Sequence, residues 1–343
     1  MLALSTSAVA DYYVVDKNGS GDFSRIMDAI NVSKSGDHIF VCGGTYNDSL
    51  IVDKSIKLVG DENRTIIVCN TDRPVVNITA DNVSLEGFVI TNCSGEKCKS
   101  GSIEVRSNEC KLLNNTISNS SRIGIIIFNS SNHFISGNSI HDNERVGIAL
   151  HNSSYNKISN NEIYLNGKRG IGMSNCEHNF IVKNAIYSNA ETGVNIHASN
   201  MCMLFNNVIA ANGEDGIYVS QGVDNNMAKN IIYENSLNGI LLDDYSSNNL
   251  IAENEIRNCG EYGVKLMPYS HRNSLSDNVL SNNGISMPGA MALMYGGTIF
   301  MEITKVATQT AMKLAMNPTW SKGAEVSIQR MWFLHIQLSL IHI

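Results

Sequence analysis

Apolar and polar residues alternate along most of this chain in short runs, and the runs return at a fixed interval. From residue 101 to residue 285, a glycine, three aliphatic stretches and two asparagines recur in the same order. The glycines are Gly101, Gly124, Gly147, Gly170, Gly193, Gly216, Gly239 and Gly263. A step of about 23 residues held over so many intervals indicates a repeat architecture in which each repeat is one supersecondary unit.

Three aliphatic stripes accompany the glycines, and each predicts one short strand per repeat. Alternation with a period of two places successive side chains on opposite faces of a strand. The first stripe pairs residues two apart: Ile125/Ile127, Ile148/Leu150, Ile171/Met173, Val194/Ile196, Ile217/Val219, Ile240/Leu242 and Val264/Leu266. The second is Ile135, Ile158, Ile181, Leu204, Met227, Ile251 and Leu275, and the third is Ile140, Ile163, Ile186, Ile209, Ile232, Ile256 and Leu280. We expect all three stripes to be buried.

A repeat with three strands and three turns predicts one coil of a right-handed parallel β-helix. A propeller blade needs about 40 residues, and the repeat has no helical periodicity, which excludes the ankyrin and leucine-rich classes. Coils of a parallel β-helix stack about 4.8 Å apart, so equivalent residues lie over one another. The predicted fold class is therefore all-β, a solenoid with three short strands per coil of about 23 residues.

Two asparagine ladders keep the same step and are predicted to occupy turns. Asparagine tolerates the left-handed conformation, and its amide can hydrogen-bond along a stack. The ladders are Asn115, Asn138, Asn161, Asn184, Asn207, Asn230, Asn254 and Asn278, and Asn143, Asn166, Asn189, Asn212, Asn235, Asn258 and Asn282. The step from Met227 to Ile251 is 24 residues. It predicts one extra residue in the turn 244–249, with both flanking strands still paired.

The ends of the chain differ from the repeats. Residues 1–10 end in Ala8-Val9-Ala10, which is typical of the remnant of an export signal. Residues 11–35 are predicted to hold an N-terminal strand and a capping helix, because Phe23, Ile26, Met27 and Ile30 have helical spacing. A cap of this kind protects the open edge of a solenoid. Residues 36–285 form the predicted β-helix, whose opening coils are less regular.

Residues 286–343 form a predicted non-native tail. The periodicity stops, and this segment holds seven of the 14 methionines, both tryptophans and one of the 44 asparagines. Codons that encode this segment can be chosen so that a shifted reading frame translates into a sequence rich in Asn, Trp and Asp-Gly. This predicts a frameshift near Ile285. The last six residues match the translation of a common transposase sequencing adapter. A genuine C-terminal helix around 304–315 is the alternative.

Composition narrows the classes of partner and compartment. The net charge is −7 without a Lys/Arg cluster, which argues against a nucleic-acid partner. No apolar run approaches the length that a membrane span requires. The eight cysteines include no CxxC pair, so we expect no metal site, although Cys93 and Cys98 could bridge after export. Asn-x-Ser/Thr triplets, acceptors of glycans in exported chains, recur at Asn31, Asn47, Asn63, Asn77, Asn82, Asn92, Asn114, Asn119, Asn129 and Asn152.

The opening segment and the repeats resemble a known superfamily. Residues 16–23, Asp28-Ala29-Ile30, Gly36-Asp37, Gly44-Thr45-Tyr46 and 56–60 are similar to the start of pectin-lyase-like β-helix proteins. The NxIxxNxI-type repeats that follow resemble the NosD-like group, which carries carbohydrate-binding and sugar-hydrolase repeats and is common in archaeal surface proteins. The resemblance implies the fold and export. It does not specify an activity, because the superfamily includes lyases, hydrolases, epimerases and non-enzymes. The copper role of NosD is not transferred, because no Cys/His/Met cluster is present.

One outward column is the first candidate site for carbohydrate. The residues after the first strand of each coil are Phe128, His151, Ser174, His197, Ser220, Asp243 and Met267. His151, His197 and Asp243 recur in every second coil, about 9.6 Å apart by the stacking distance, which is too far for one metal ion. We predict a polar groove that binds sugar hydroxyls. Solvent-facing strand ends without a ligand are the alternative.

Two further groups carry candidate chemistry. Asp243 and Asp244 are weak catalytic candidates, because paired carboxylates cleave glycosides, but neighbouring strand residues point to opposite faces. Arg122, Arg145 and Lys168 form a basic turn column that could neutralise a uronate, and a solvated turn face is the alternative.

The sequence therefore predicts an exported or cell-surface, monomeric β-helix that binds polysaccharide without catalysis. A polysaccharide lyase, hydrolase or epimerase acting on uronate-containing glycans is the first alternative, and a structural surface-layer component is the second. No cofactor is expected, and nothing in the sequence indicates calcium.

Overall fold

The computed structural model describes residues 10–69, 73–93, 101–284, 291–293 and 299–302. The chain divides into two compact units, Met1–Glu162 (unit 1) and Ile163–Ile343 (unit 2). Each is a parallel β-helix with three short strands per coil of about 23 residues, so the predicted fold class is confirmed. The export-signal remnant apart from Ala10, the side chains of the Cys93–Cys98 pair and most of the predicted tail lie outside the described residues.

Unit 1 contains one short helix and a series of strands. The described elements are β1 (Tyr12–Val15), α1 (Ile26–Val32), β2 (His38–Val41), β3 (Gly44–Asn47), β4 (Leu50–Val52), β5 (Lys57–Gly60), β6 (Thr65–Cys69), β7 (Val76–Ile78), β8 (Ser84–Glu86), β9 (Phe88–Cys93), β10 (Gly101–Val105), β11 (Lys111–Leu113), β12 (Thr116–Ser118), β13 (Ile123–Phe128), β14 (Phe134–Ser136), β15 (Ser139–His141), β16 (Val146–His151) and β17 (Lys157–Ser159). Strand β18 (Glu162–Tyr164) lies at the boundary of the units.

In unit 2 the described elements are strands. They are β19 (Ile171–Ser174), β20 (Phe180–Val182), β21 (Ala185–Tyr187), β22 (Val194–His197), β23 (Met203–Phe205), β24 (Val208–Ala210), β25 (Ile217–Ser220), β26 (Asn226–Ala228), β27 (Ile231–Tyr233), β28 (Ile240–Asp243), β29 (Leu250–Ala252), β30 (Glu255–Arg257), β31 (Val264–Leu266), β32 (Asn273–Ser276), β33 (Val279–Ser281), β34 (Met291–Leu293) and β35 (Ile299–Glu302).

Equivalent strands of successive coils form three parallel sheets in each unit. In unit 1, sheet A joins β1, β2, β5, β8, β11, β14 and β17; sheet B joins β3, β6, β9, β12 and β15; sheet C joins β4, β7, β10, β13 and β16. In unit 2, sheet A joins β20, β23, β26, β29, β32 and β35; sheet B joins β21, β24, β27, β30 and β33; sheet C joins β19, β22, β25, β28, β31 and β34. Repeat positions pair in register, as Ile135 does with Ile158 and Ile217 with Ile240.

The predicted aliphatic stripes form the core of both units. Every member of the first two stripes is buried, and in the third stripe Leu280 alone is partly exposed. Burying one such side chain contributes roughly 1.5–3 kcal/mol, so the stacked stripes are the main source of stability. The helix α1 adds buried Ile26, Ala29 and Ile30 and contacts β1, β2 and β4. Phe23, predicted to lie in this helix, instead forms a bridge with Val15.

Buried asparagines run along the turns, and each amide is hydrogen-bonded to the coils on both sides. Asn207 is representative. Its Oδ1 accepts hydrogen bonds from the backbone N–H and the Nδ2 of Asn184, each at 3.0 Å. Its Nδ2 donates to the carbonyl of Ile181 at 2.8 Å and to Oδ1 of Asn230 at 2.9 Å. Because a buried polar group is costly only when it lacks partners, these ladders stabilise the coil-to-coil register.

Two details of the predicted ladders are wrong. The ladder asparagines do not adopt the left-handed conformation; the residue before each one does, as exposed Asn206 with φ 55° precedes buried Asn207. In the last coils the ladder continues through Cys259 and Asn283, not through Asn258 and Asn282, which are exposed and have positive φ. The extra residue of each 24-residue coil shifts the register by one position.

A third buried ladder escaped sequence analysis because its residue types vary. Its members are Cys110, His133 and Asn156 in unit 1 and Asn179, Cys202, Asn225, Asn249 and Asn273 in unit 2. Cys202 and Cys259 accept hydrogen bonds from the asparagine of the preceding coil, so these thiols occupy asparagine positions instead of being simple apolar fillers. Burial raises the pKa of Cys202 to about 11.

The repeated glycines are required by space and not by an unusual backbone angle. A Cβ on Gly216 would lie 2.6 Å from the carbonyl oxygen of Gly239 and 2.7 Å from Cγ2 of Ile232. Gly216 does not have a positive φ. The first member of the series is displaced, because Gly101 pairs with Ile123.

The extra residue of the first long coil lies where it was predicted. The backbone N–H of Gln221 donates to the carbonyl of Asp244, which is one regular step further along the chain. Asn225 instead donates to the side chain of Asn249, one residue beyond the regular step. The inserted residue is therefore in the turn after Asp244. Both flanking strands stay paired, β25 with β28 and β26 with β29, which confirms the prediction.

Candidate functional site

The predicted outward column lies at the ends of the sheet C strands. In unit 1 it contains Arg106, Phe128 and His151, and in unit 2 it contains Ser174, His197, Ser220 and Asp243; we call these residues the sheet C column. Each strand ends at the same level, so one side chain per coil points away from the core at this position. The column is therefore rigid, because each member is fixed by a paired strand.

In unit 1 the column is an unbroken stack of planar groups. The guanidinium carbon of Arg106 lies 4.8 Å from the centroid of the Phe128 ring. The Phe128 and His151 rings are stacked with centroids 5.3 Å apart and planes 18° apart. Glu104, two residues before Arg106 on β10, forms an ion pair with its guanidinium. Cation–π contacts and offset ring stacking hold such groups in place.

The environment of His151 determines its charge. The side chain is half-buried at the end of β16, and burial lowers its pKa below the ordinary value. A histidine of ordinary pKa is already mostly neutral at pH 7, and a lower pKa makes it more so. A neutral imidazole has one donor and one acceptor nitrogen, which suits hydrogen bonding to hydroxyl groups.

In unit 2 the column is polar. His197 is exposed and lies between Ser174 and Ser220 on the neighbouring strands. Asp243 follows Ser220 in register and accepts a hydrogen bond from the hydroxyl of Tyr218 at 3.2 Å. Burial, and then the charge of Asp243, raises the pKa of Tyr218, so this hydroxyl keeps its proton and remains a donor. His197 and Asp243 are two strands apart on one sheet.

The two candidate carboxylates of unit 2 have different partners. Asp243 accepts from Tyr218, whereas Asp244 lies beyond the strand, at φ 46°, and accepts from Nε2 of Gln221 at 2.6 Å. The backbone N–H of Asp244 also donates to Oδ1 of Asp243 at 2.8 Å. Both carboxylates thus act as hydrogen-bond acceptors for neighbouring protein groups.

The predicted basic turn column is distributed over both units. In unit 1, the backbone N–H of Arg145 donates to the carbonyl of Arg122 at 2.7 Å, so these residues are adjacent in successive coils. In unit 2, Lys168 forms an ion pair with Glu191 at 2.6 Å, and Arg169 lies 3.6 Å from the same carboxylate. Glu191 therefore compensates the positive charge of Lys168.

Sequence reasoning missed Arg106, Glu104 and Tyr218. The step from Arg106 to Phe128 is one residue shorter than the regular step, because Val105 pairs with Ile127, and a search at a fixed step passes over it. Tyr218 lies inside a strand, and its contact with Asp243 joins neighbouring coils. A search of the sequence that allowed one-residue changes in the step would have found Arg106.

The described residues contain neither a cluster of three potential metal ligands nor a helix suited to crossing a membrane. In that part of the chain, no group of three or more His, Cys, Asp or Glu side chains is close enough to hold a metal ion. Among the same residues, no helix combines the length and the hydrophobicity that a membrane crossing requires.

Comparison with known proteins identifies the family. The model of the right-handed beta helix region matches residues 56–226 and 174–304. The chain therefore belongs to the right-handed β-helix family, which also gives the handedness of the coils.

Individual relatives share parts of this chain. A cell surface glycoprotein of Methanothermus fervidus is 29% identical over 123 residues, which are 35% of this chain and 20% of that protein. The matched segment thus spans about a fifth of the relative's length.

Solved structures share the fold at low sequence identity. The A-module of the Azotobacter vinelandii mannuronan C-5 epimerase AlgE6 is 13% identical, with a TM-score of 0.64, over 80% of this chain and 84% of that module. The pectate lyase Pel9A is 14% identical, with a TM-score of 0.51, over 90% of this chain and 80% of that enzyme. At this identity the likeness concerns the fold alone.

Proposed function

We propose that this β-helix protein is exported to the cell surface and binds polysaccharide at the unit 1 part of its sheet C column, without catalysis. The observation that carries the proposal is the column itself. It presents flat rings and hydrogen-bonding groups at one position per coil, on paired strands that lose little freedom on binding. Hydroxyl-rich chains are recognised by such groups, since rings cover apolar sugar faces while polar side chains bond to hydroxyls.

The charges of the column favour binding over catalysis. Hydrolysis of a glycan requires two carboxyl groups that face the scissile bond and exchange protons with the substrate. Glu104 is paired with Arg106, and Asp243 is bonded to Tyr218. The names of the relatives, a cell surface glycoprotein, a mannuronan epimerase and a pectate lyase, are consistent with a polysaccharide ligand.

The distribution of glycan acceptor triplets supports export. Every Asn-x-Ser/Thr triplet without a central proline lies before residue 155, although asparagines are more frequent between residues 155 and 283 than before residue 155. Asn63, Asn82, Asn114, Asn129 and Asn152 are exposed in turns at positive φ, so they are accessible acceptors.

Titration calorimetry with defined oligosaccharides tests the proposal. The probes are oligogalacturonate, oligomannuronate and a neutral β-glucan oligomer, titrated into the whole protein. We expect at least one probe to bind, and His151→Ala to raise its Kd by about 3–10-fold, the value of one or two neutral hydrogen bonds. His38→Ala, which removes an exposed histidine on sheet A, is the matched control and should leave Kd unchanged. If His151→Ala binds the probe with wild-type affinity, the sheet C column is not the binding site.

A lyase or epimerase is the second candidate, because Glu104, Arg106 and His151 lie on one sheet in unit 1. A neutral imidazole can remove a proton next to a carboxylate, while the guanidinium of Arg106, on the other face of the Phe128 ring, would bind a neighbouring carboxylate of the chain. Incubation with polygalacturonate and polymannuronate, followed by absorbance of unsaturated ends and by proton NMR of the C5 configuration, distinguishes the two. We expect no turnover. If turnover is observed and is lost in His151→Gln, the proposed function is catalysis and not binding alone.

A further inference from the structure

The two long coils each insert a tyrosine at the same position of the turn that follows sheet C. Tyr245 follows Asp244 in the first of these coils, and Tyr269 follows Pro268 in the second. The rings of Tyr245 and Tyr269 are stacked, with centroids 5.2 Å apart and planes 22° apart. The shorter coils have no residue at this position. The insertion thus adds one paired aromatic surface to unit 2.

Neither the backbone nor the core accounts for a tyrosine at these positions. Tyr245 has φ 65° and Tyr269 has φ 70°, a region in which glycine or asparagine is favoured and a bulky side chain is strained. Their side chains are 59% and 60% exposed, so stacking does not bury them. Positive φ recurs at exposed turn residues such as Leu165 and Met201, so the stacking of the two rings is what distinguishes this pair.

Hydrogen-bonding groups adjoin the two rings. An open depression in the same turns is lined by Ser247, Asn248, His271 and Arg272. Arg272 is exposed and His271 is partly exposed. This depression begins two residues after each tyrosine, so hydroxyl, amide and guanidinium donors belong to the same two turns as the aromatic pair.

The nearby acidic groups are already engaged. Asp244 accepts a hydrogen bond from Gln221 at 2.6 Å, and Asp243 accepts one from Tyr218 at 3.2 Å. Arg272 is the permanently cationic group among the residues that line the depression, and it is exposed, so it is the group there that suits an anion. Guanidinium groups bind carboxylates through two parallel hydrogen bonds.

We infer that the stacked tyrosines and the adjoining depression form a separate subsite for a uronate residue of the polysaccharide. The rings cover the apolar face of the pyranose, Arg272 binds its carboxylate, and Ser247 and Asn248 bond to its hydroxyls. The inference rests on the proposed function and specifies the class of sugar. It also gives a role to both extra residues, which the regular repeat does not require.

The test is calorimetric titration of the full chain with oligogalacturonate and with a neutral β-glucan oligomer of equal length. The double variant Tyr245→Ala/Tyr269→Ala should raise the Kd for oligogalacturonate about tenfold. Tyr245→Phe/Tyr269→Phe should keep Kd within about twofold, because stacking requires the ring and not the hydroxyl. Tyr155→Ala is the matched control, since Tyr155 is also exposed and has positive φ but belongs to unit 1. It should leave Kd unchanged.

Arg272→Gln tests the choice of an acidic sugar. We expect it to raise the Kd for oligogalacturonate about fivefold and to reduce the salt dependence of binding, while any neutral glucan binding stays the same. If the double alanine variant binds oligogalacturonate with unchanged affinity, the tyrosines do not form a subsite. If the wild-type protein binds both sugars equally and Arg272→Gln leaves the Kd for oligogalacturonate unchanged, the subsite is not specific for a uronate. If wild-type protein binds no probe at all, the proposed function itself fails. Circular dichroism melts of each variant verify folding.

Discussion

Replacement of one buried ladder asparagine tests what holds the coils together. Asn207 lies in the middle of unit 2 and is fully buried. Asn207→Ala removes its amide but leaves its own backbone N–H bonded to Asn230 at 3.0 Å. The substitution keeps the aliphatic core intact, so any loss of stability comes from the ladder.

The magnitude follows from the groups left without partners. The backbone N–H and Nδ2 of Asn184 lose their acceptor, and the carbonyl of Ile181 loses its donor. Each unsatisfied buried group costs about 1–3 kcal/mol. Three such groups give an expected loss of about 3–9 kcal/mol in the free energy of unfolding, a large part of the roughly 5–15 kcal/mol that is usual for a domain.

Urea unfolding followed by far-UV circular dichroism measures this loss, and hydrogen exchange at the amide of Asn184 localises it. Asn206→Ala is the matched control, because Asn206 is exposed and affects stability only through its left-handed backbone conformation. That control should lose about 1–2 kcal/mol. If Asn207→Ala and Asn206→Ala unfold within about 1 kcal/mol of each other (a margin set by the usual error of such measurements), the ladder does not stabilise the register as argued.

Three further predictions address other positions. Burial lowers the pKa of His133 to about 4, whereas its pKa in the unfolded chain is about 6.5. Below about pH 6.5 the unfolded chain therefore binds the proton more readily than the folded chain does. Stability should fall by about 3 kcal/mol as the pH falls from about 6.5 to about 4. His133→Asn should flatten this part of the urea-midpoint profile, and an unchanged slope would contradict it. Cys202→Asn should add about 1 kcal/mol, because an amide oxygen replaces sulfur as the acceptor for Asn179, and a lower urea midpoint would count against it. Gly216→Ala should cost about 1–3 kcal/mol in thermal melts through its clash with Gly239, and a wild-type melting temperature would exclude that clash.

Most of the fold could be predicted from the sequence because a solenoid repeats the same contacts. An aliphatic residue recurs at the same position of every coil, as Ile135 and Ile158 do, and this recurrence predicts that the position is buried. One inserted residue is visible as a longer interval between repeats. Prediction failed where the structure tolerates different residue types at one position. His133 and Cys202 replace asparagine in the third ladder, since any buried acceptor can serve there.

The candidate site was less predictable than the core. The step between His151 and Phe128 identified the sheet C column, but the charges that each column residue meets come from other strands. The pairing of Glu104 with Arg106 and of Tyr218 with Asp243 depends on the reach of each side chain over the sheet. The spacing of residues along the chain does not show how far each side chain reaches, so these contacts could be identified only from the three-dimensional structure.

The ladders have a direction, and this direction has a consequence for biosynthesis. In each unit a ladder asparagine offers its Oδ1 to the coil before it, as Asn138 does to Asn115 and Asn212 does to Asn189. A coil that has just left the ribosome therefore exposes amide donors that only the next coil can satisfy. Chain growth from the N-terminus supplies the acceptors in the required order, so each unit can be completed coil by coil during translation.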